Sequence, residues 1–254
     1  MLARTGLLPS LAAAIVLLAG CGTSNDSTPS IAAAPGNVQV RFIQGSPSLE
    51  AIIGGQPTDL GPSTYLSVDG TTVASSFLYA YLTPFANYHS GSLSLEALDS
   101  SGYKVGPVKT TALAAGKSYT VALVGTYPNY KALAFEEPAP QSRVTVSAYG
   151  ASPSVPNADF GSFVTSGQRQ YKKLGSVTLG EIATTNVGTH VTNFGAYIGH
   201  GTMPVERGAI AVESVDSFDT RGVLPFHNAT RLSLFFLDPK GGQSLGPVLG
   251  SLDQ

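Results

Sequence analysis

The sequence predicts an all-β protein of two tandem β-sandwich domains behind an export signal, the second domain carrying an insertion and lacking the last strand of the first. Three observations predict it. Short runs alternate apolar and polar side chains, the period of two that buries one face of a strand. Turn signals built on Gly, Pro, Asn and Asp bound these runs, and no long amphipathic helix interrupts them, which is the pattern of a sandwich. Motifs also recur in the same order in the two halves, the mark of an internal repeat.

Met1 to Gly20 has the three parts of an export signal: one positive charge at Arg4, an apolar stretch from Leu7 to Leu18 broken by Pro9, and small residues before Cys21. The apolar core is roughly a dozen residues, short of the about 20 that a spanning helix needs. Leu18-Ala19-Gly20-Cys21 resembles the lipobox of bacterial lipoproteins, in which the signal is cut before the cysteine after a diacylglyceryl group joins its sulfur. Each buried methylene contributes about 0.8 kcal/mol, and two or more acyl chains hold a protein stably. Cys21 is therefore the predicted lipid-attachment site and the membrane the predicted partner. Gly22 stands where enteric bacteria use aspartate to mark inner-membrane retention, so the same resemblance implies the outer membrane, facing the periplasm or the surface.

Residues 21–37 are small, polar and rich in breakers, without hydrophobic periodicity, and read as a flexible tether. The signal holds one of the 14 basic residues and none of the 16 acidic ones, so the mature charge is 13 − 16 = −3. Such a weak charge gives no electrostatic reason to expect nucleic-acid binding. Cys21 is the only cysteine, so disulfides cannot staple the fold and packing must stabilise it.

The first sandwich is expected over residues 38–137. Its alternating runs are Val38 to Phe42, Tyr65 to Val68, Leu93 to Glu96 and Tyr119 to Leu123, with turn signals at Asp69-Gly70, Ser101-Gly102 and Gly116-Lys117. Leu113 to Tyr119 has the L-x-x-G-x-x-Y layout of a tyrosine corner, in which the hydroxyl bonds back to upstream backbone in an immunoglobulin-like fold. A seam follows in Glu136-Glu137-Pro138-Ala139-Pro140, where both glutamates are read as solvated linker residues.

The second sandwich is expected over 141–254, from Val144 to Val146, Ala209 to Val212 and Leu232 to Phe235. Arg41 to Ser48 returns as Ser147 to Ser154, sharing a strand that runs into Ser-Pro-Ser. Pro84-Phe85-Ala86-Asn87 returns as Pro225-Phe226-His227-Asn228, and Leu93-Ser94-Leu95 as Leu232-Ser233-Leu234. The offset grows from 106 to 139, which places an insertion of 33 residues within about 157–208 and leaves the closing strand of the first copy without a counterpart. An unpaired edge is a liability. Strands in the insertion, at Val177 to Leu179 and Asn193 to Ile198, a strand shared between the copies, or a partner donating one by β-augmentation would repair it.

The strand ending in Ser-Pro, the YLSVDG run of Tyr65 to Gly70 and the closing AAGKSYTVALVG together resemble the bacterial domain-of-unknown-function family number 4397. The resemblance is good over Val38 to Gly125 and partial from Val144. It implies exported tandem immunoglobulin-like repeats and supplies no catalytic residues.

The serine-hydrolase elbow, the zinc-helix motif and the phosphate loop are absent from the sequence, and thiolate catalysis is excluded beyond Cys21. No cofactor is implied. His190 and His200 flank an apolar strand, and His89 and His227 fall near one turn in the two copies. A metal site would need convergence that spacing does not supply, so these histidines are read as surface or hydrogen-bonded residues. Asp99 and Asp238 are read as equivalent turn caps. The candidate ligand face is Phe77, Tyr79 and Tyr81 on one side of a strand, since tyrosine joins a flat apolar ring to a polar tip. The expectation is a lipid-anchored envelope protein acting as a binding or structural module, not an enzyme. The alternatives are a hydrolase site built from the second-domain insertion with His190 and His200, and a carbohydrate-binding protein using Tyr79 and Tyr81.

Overall fold

The computed structural model describes residues 36–47, 49, 65–98, 104–126, 128–164, 170–187, 194–198, 231–239 and 248–253. Among them the chain forms β-strands and no long helix, so the all-β sandwich expectation holds. The signal, Cys21 and most of the tether lie outside the described residues, as do Asp99, His190, His200, His227 and Ala209 to Val212.

The strands are β1 (Asn37–Gln44), β2 (Tyr65–Val68), β3 (Thr71–Ala74), β4 (Ala86–His89), β5 (Ser94–Leu98), β6 (Lys104–Lys109), β7 (Ser118–Thr126) and β8 (Asn129–Glu136). They continue with β9 (Val144–Gly150), β10 (Asn157–Val164), β11 (Gln170–Thr178), β12 (Ile182–Val187), β13 (Phe194–Ile198), β14 (Arg231–Phe236) and β15 (Val248–Asp253). Local chemistry makes the tight turns. Asp69 and Gly70 both take positive φ, 49° and 81°, the backbone that a two-residue hairpin between β2 and β3 demands.

Among the described residues these strands form four sheets, in the orders β4-β1-β7-β8, β3-β2-β5-β6, β12-β9-β14-β15 and β11-β10-β13. Val38, Val40, Phe42, Tyr119, Val121 and Leu123 on the first sheet enclose one core with Leu66, Val68, Leu95, Ala97 and Val105 on the second. Val144, Val146, Ala148, Leu232, Leu234 and Phe236 enclose another with Ala158, Phe160 and Val177. A third cluster joins the two inner sheets, through Ile43, Ala122, Val124 and Phe135 from one and Tyr149, Phe235 and Leu237 with the adjoining Ala151 from the other. The sheets thus stack in four layers, and the strands at the centre of the inner two are buried on both faces.

The inner sheets share one topology. β1 pairs parallel with β7 and antiparallel with β4, and β7 continues antiparallel into β8. Likewise β9 pairs parallel with β14 and antiparallel with β12, and β14 continues into β15. In the outer sheets β10 pairs with β11 and β13 as β2 pairs with β3 and β5.

This arrangement corrects the repeat alignment. Leu232-Ser233-Leu234 lies in β14, which holds the place of β7, whereas Leu93-Ser94-Leu95 enters β5 in an outer sheet. The tyrosine-bearing closing strand of the first copy, β7, is therefore not without a counterpart: β14 is that strand, and β15 stands at the edge beside it as β8 does beside β7. Arg41 lies opposite Thr120 and Ser147 opposite Ser233, offsets of 106 and 113, so the net extra length up to that point is 7 residues and not 33. Three alternating residues specify a strand's inward face, but the parallel pairing that locates β14 is non-local and leaves no mark in so short a motif. Val177 to Leu179 and Asn193 to Ile198 overlap strands as expected, in the outer sheet at the places of β3 and β5.

Candidate functional site at the junction of the inner sheets

Strand alternation sends Phe42 into the first core and Arg41 to the opposite side, toward the second inner sheet. There Arg41 is 2% exposed, so its charge needs partners. Its Nε donates to Thr120 Oγ1 at 2.7 Å, and its Nη2 donates to Ser233 Oγ at 3.3 Å and to Glu137 Oε1 at 3.3 Å. The guanidinium lies over the rings of Phe85 and Phe235, 4.6 and 5.5 Å from their centroids, a cation–π arrangement.

Glu137 is the hub. Its side chain is 4% exposed, directly after β8, and each carboxylate oxygen receives two donors. Oε1 accepts from Arg41 and from the Thr120 hydroxyl. Oε2 accepts from Tyr149 Oη at 2.6 Å and pairs with Arg231 Nη2 at 3.0 Å. Four donors fill the lone-pair directions of an ionised carboxylate. Arg231 also donates through Nη1 to the Pro138 carbonyl at 3.2 Å, which pins the seam itself. The reading of Glu137 as a solvated linker residue is thereby overturned, while Glu136 is exposed and pairs with Lys117 at 2.8 Å. The chain direction after β8 explains the difference: alternation turns Glu136 outward and Glu137 between the sheets.

Burial pushes the Tyr149 phenol well above the ordinary tyrosine value, and the adjacent Glu137 charge pushes it in the same direction. The hydroxyl remains a neutral donor and is unsuited to proton transfer near neutral pH. Tyr149 also meets Phe135 edge-on at 5.6 Å and Phe235 at 4.4 Å. Two guanidinium groups, one carboxylate and one phenol, closed off by aromatic rings, act chemically as a fastener between sheets.

The anticipated ligand face is not assembled. Phe77 is fully buried in the first core. Ala80 takes φ 64°, so the segment turns instead of running as a strand. Tyr79 is half-buried at the junction, where its hydroxyl donates to the Asp238 carbonyl, and only Tyr81, at 42%, is exposed.

Asp238 does hold a turn, although not as a partner of Asp99. Its Oδ1 accepts from Ser152 Oγ at 2.7 Å, Ser154 Oγ at 2.6 Å and Ser154 N at 3.0 Å, fixing the second Ser-Pro-Ser. In the first copy the Ser46 hydroxyl donates instead to the Gly125 carbonyl at 2.6 Å. The tyrosine corner is present: Ala114 N–H donates to Tyr119 Oη at 3.2 Å. His89 is exposed, and its hydrogen bonds to the Ser90 carbonyl and the Asp69 carboxylate raise its pKa. Among the described residues no three His, Cys, Asp or Glu side chains group as metal ligands.

The junction residues Arg41, Thr120, Glu137, Tyr149, Arg231 and Ser233 escaped the sequence reading. A signal existed: between their apolar positions β7, β9 and β14 carry Thr, Ser, Ala and aromatic residues with almost no charge, as suits strands covered on both faces.

Residues 58–161 match the family described as Domain of unknown function (DUF4397), and over that span the chain resembles it. The match runs from before β2 across the Glu137 seam into β10, so it includes the hub and Tyr149. No curated protein matches the sequence.

Proposed function

We propose that this chain is a lipid-anchored envelope protein whose two sandwiches, each immunoglobulin-like, work as one rigid binding or structural module. The observation that carries the reading is the sealed junction, in which one carboxylate ties Arg41 on β1 to Arg231 on β14 and leaves the seam between the sandwiches no hinge. A module of this kind holds a surface at a fixed attitude, and a lipid on Cys21 followed by a polar tether would place it beside a membrane. The single cysteine at the end of an apolar run supports the anchor, and the tyrosine corner supports the immunoglobulin-like assignment.

Detergent phase partitioning tests the anchor. Wild-type protein from membranes is expected in the detergent phase and Cys21→Ser in the aqueous phase, or retained as uncut precursor. Cut Cys21→Ser protein that still partitions into detergent would refute lipid attachment.

A further inference from the structure

The edge strands β6 and β8 belong to opposite layers of the first sandwich, and between them runs a groove of about 660 Å³, within the range of about 300–1,000 Å³ of ligand sites. Lys104, Lys109 and Lys131 line it together with Pro107, Pro128 and Tyr130. The chain carries net charge −2, yet three of its seven lysines converge here. Lys104 pairs with Glu96, whereas Lys109 and Lys131 have no carboxylate partner among the described residues.

From this groove we infer that the first sandwich binds an acidic saccharide, a sugar chain bearing carboxylates. The ammonium groups supply charge for the carboxylates. Between them the proline rings and Tyr130 offer flat apolar surface with a polar tip, which suits the C–H faces and hydroxyls of a sugar. An added peptide strand fits less well on the β6 side. Pro107 lacks a backbone donor, and the pairing of β5 with β6 shifts register between Leu95 and Ala97, so that edge presents no regular ladder. The inference rests on the binding-module reading and names its ligand class; losing it would leave the anchor and the rigid junction standing.

The test uses the full mature protein in detergent micelles and a fluorescent oligogalacturonate, with a neutral dextran oligomer and a poly-glutamate peptide as comparisons. The oligogalacturonate should bind, weaken as salt rises from about 50 to 500 mM, and outcompete both comparison ligands. Lys109→Glu with Lys131→Glu should weaken it at least about tenfold at an unchanged melting temperature, because both side chains are exposed. Lys172→Glu with Lys173→Glu, on β11, should leave it unchanged. No binding of the oligogalacturonate, binding indifferent to the groove substitutions, equal binding of neutral dextran, or equal binding of poly-glutamate would each overturn the assignment. The same preparation partitioned into detergent reports the anchor separately.

Discussion

Replacing Glu137 with Ala removes one side chain and strands two cations. Arg41, whose side chain is 3% exposed, loses its counter-charge inside the junction, and Arg231, at 18%, loses it at the margin. Breaking a buried ion pair from one side costs about 3–5 kcal/mol. The Thr120 and Tyr149 hydroxyls also lose their acceptor. A destabilisation near 4 kcal/mol is therefore expected, a large share of the roughly 5–15 kcal/mol that a folded protein has. At about 2–4 °C per kcal/mol for a cooperative unit of this size, the melting temperature should fall by roughly 8–16 °C. Urea unfolding of the mature protein measures the change directly, with the slope reporting whether both sandwiches still unfold together. A second variant separates charge from shape. Arg41→Met combined with Glu137→Leu removes the more buried of the two pairs and leaves Arg231 at the margin without its counter-charge, so it should recover part of the loss, since buried pairs often exchange for apolar groups at little cost. A loss below about 1 kcal/mol for Glu137→Ala, or a double variant as damaged as the two single ones summed, would refute the account of the hub.

Two further outcomes follow from neighbouring residues. Tyr149 has a folded-state pKa raised by burial and by Glu137, so its contribution is fully present below about pH 10, the ordinary tyrosine value, and falls as pH rises further, by about 1.4 kcal/mol per unit. Urea titrations between pH 9 and 11 should show Tyr149→Phe losing stability less steeply than wild type; parallel slopes would contradict the assignment. A Cβ built on Gly150 falls well inside contact distance of the Thr178 carbonyl oxygen, which is backbone and cannot rotate away. Gly150→Ala should therefore destabilise by about 1–3 kcal/mol, and a neutral result by thermal melting would show that β9 and β11 separate more easily than this packing implies.

Strand content was legible because alternation is local. Tyr65 to Val68 falls on β2, and Val38 to Phe42, Tyr119 to Leu123 and Leu232 to Phe235 fall inside β1, β7 and β14. What alternation cannot say is where the second face goes. Ser233, Thr120 and Ser147 read as outward polar residues, yet a hydroxyl is small enough to be buried when a partner waits for it: Arg41 supplies one to Ser233 and, with Glu137, to Thr120, while Thr184 on β12 meets Ser147. The same limit misplaced Leu232 to Leu234, because β5 and β14 have similar local patterns and differ in their neighbours alone. Phe77, Tyr79 and Tyr81 looked like one face for want of any sign that Ala80 turns the chain.

The proposed rigid four-layer body fixes the distance between its outer sheets. Spin labels on Thr72→Cys, exposed on β3, and Lys172→Cys, exposed on β11, bracket that body from the outer sheets. A Cys21→Ser background leaves these two thiols alone to label. Pulsed dipolar spectroscopy on the mature protein should give a single narrow distance distribution that broadens in Glu137→Ala. A broad or multimodal distribution in the wild type would contradict the account.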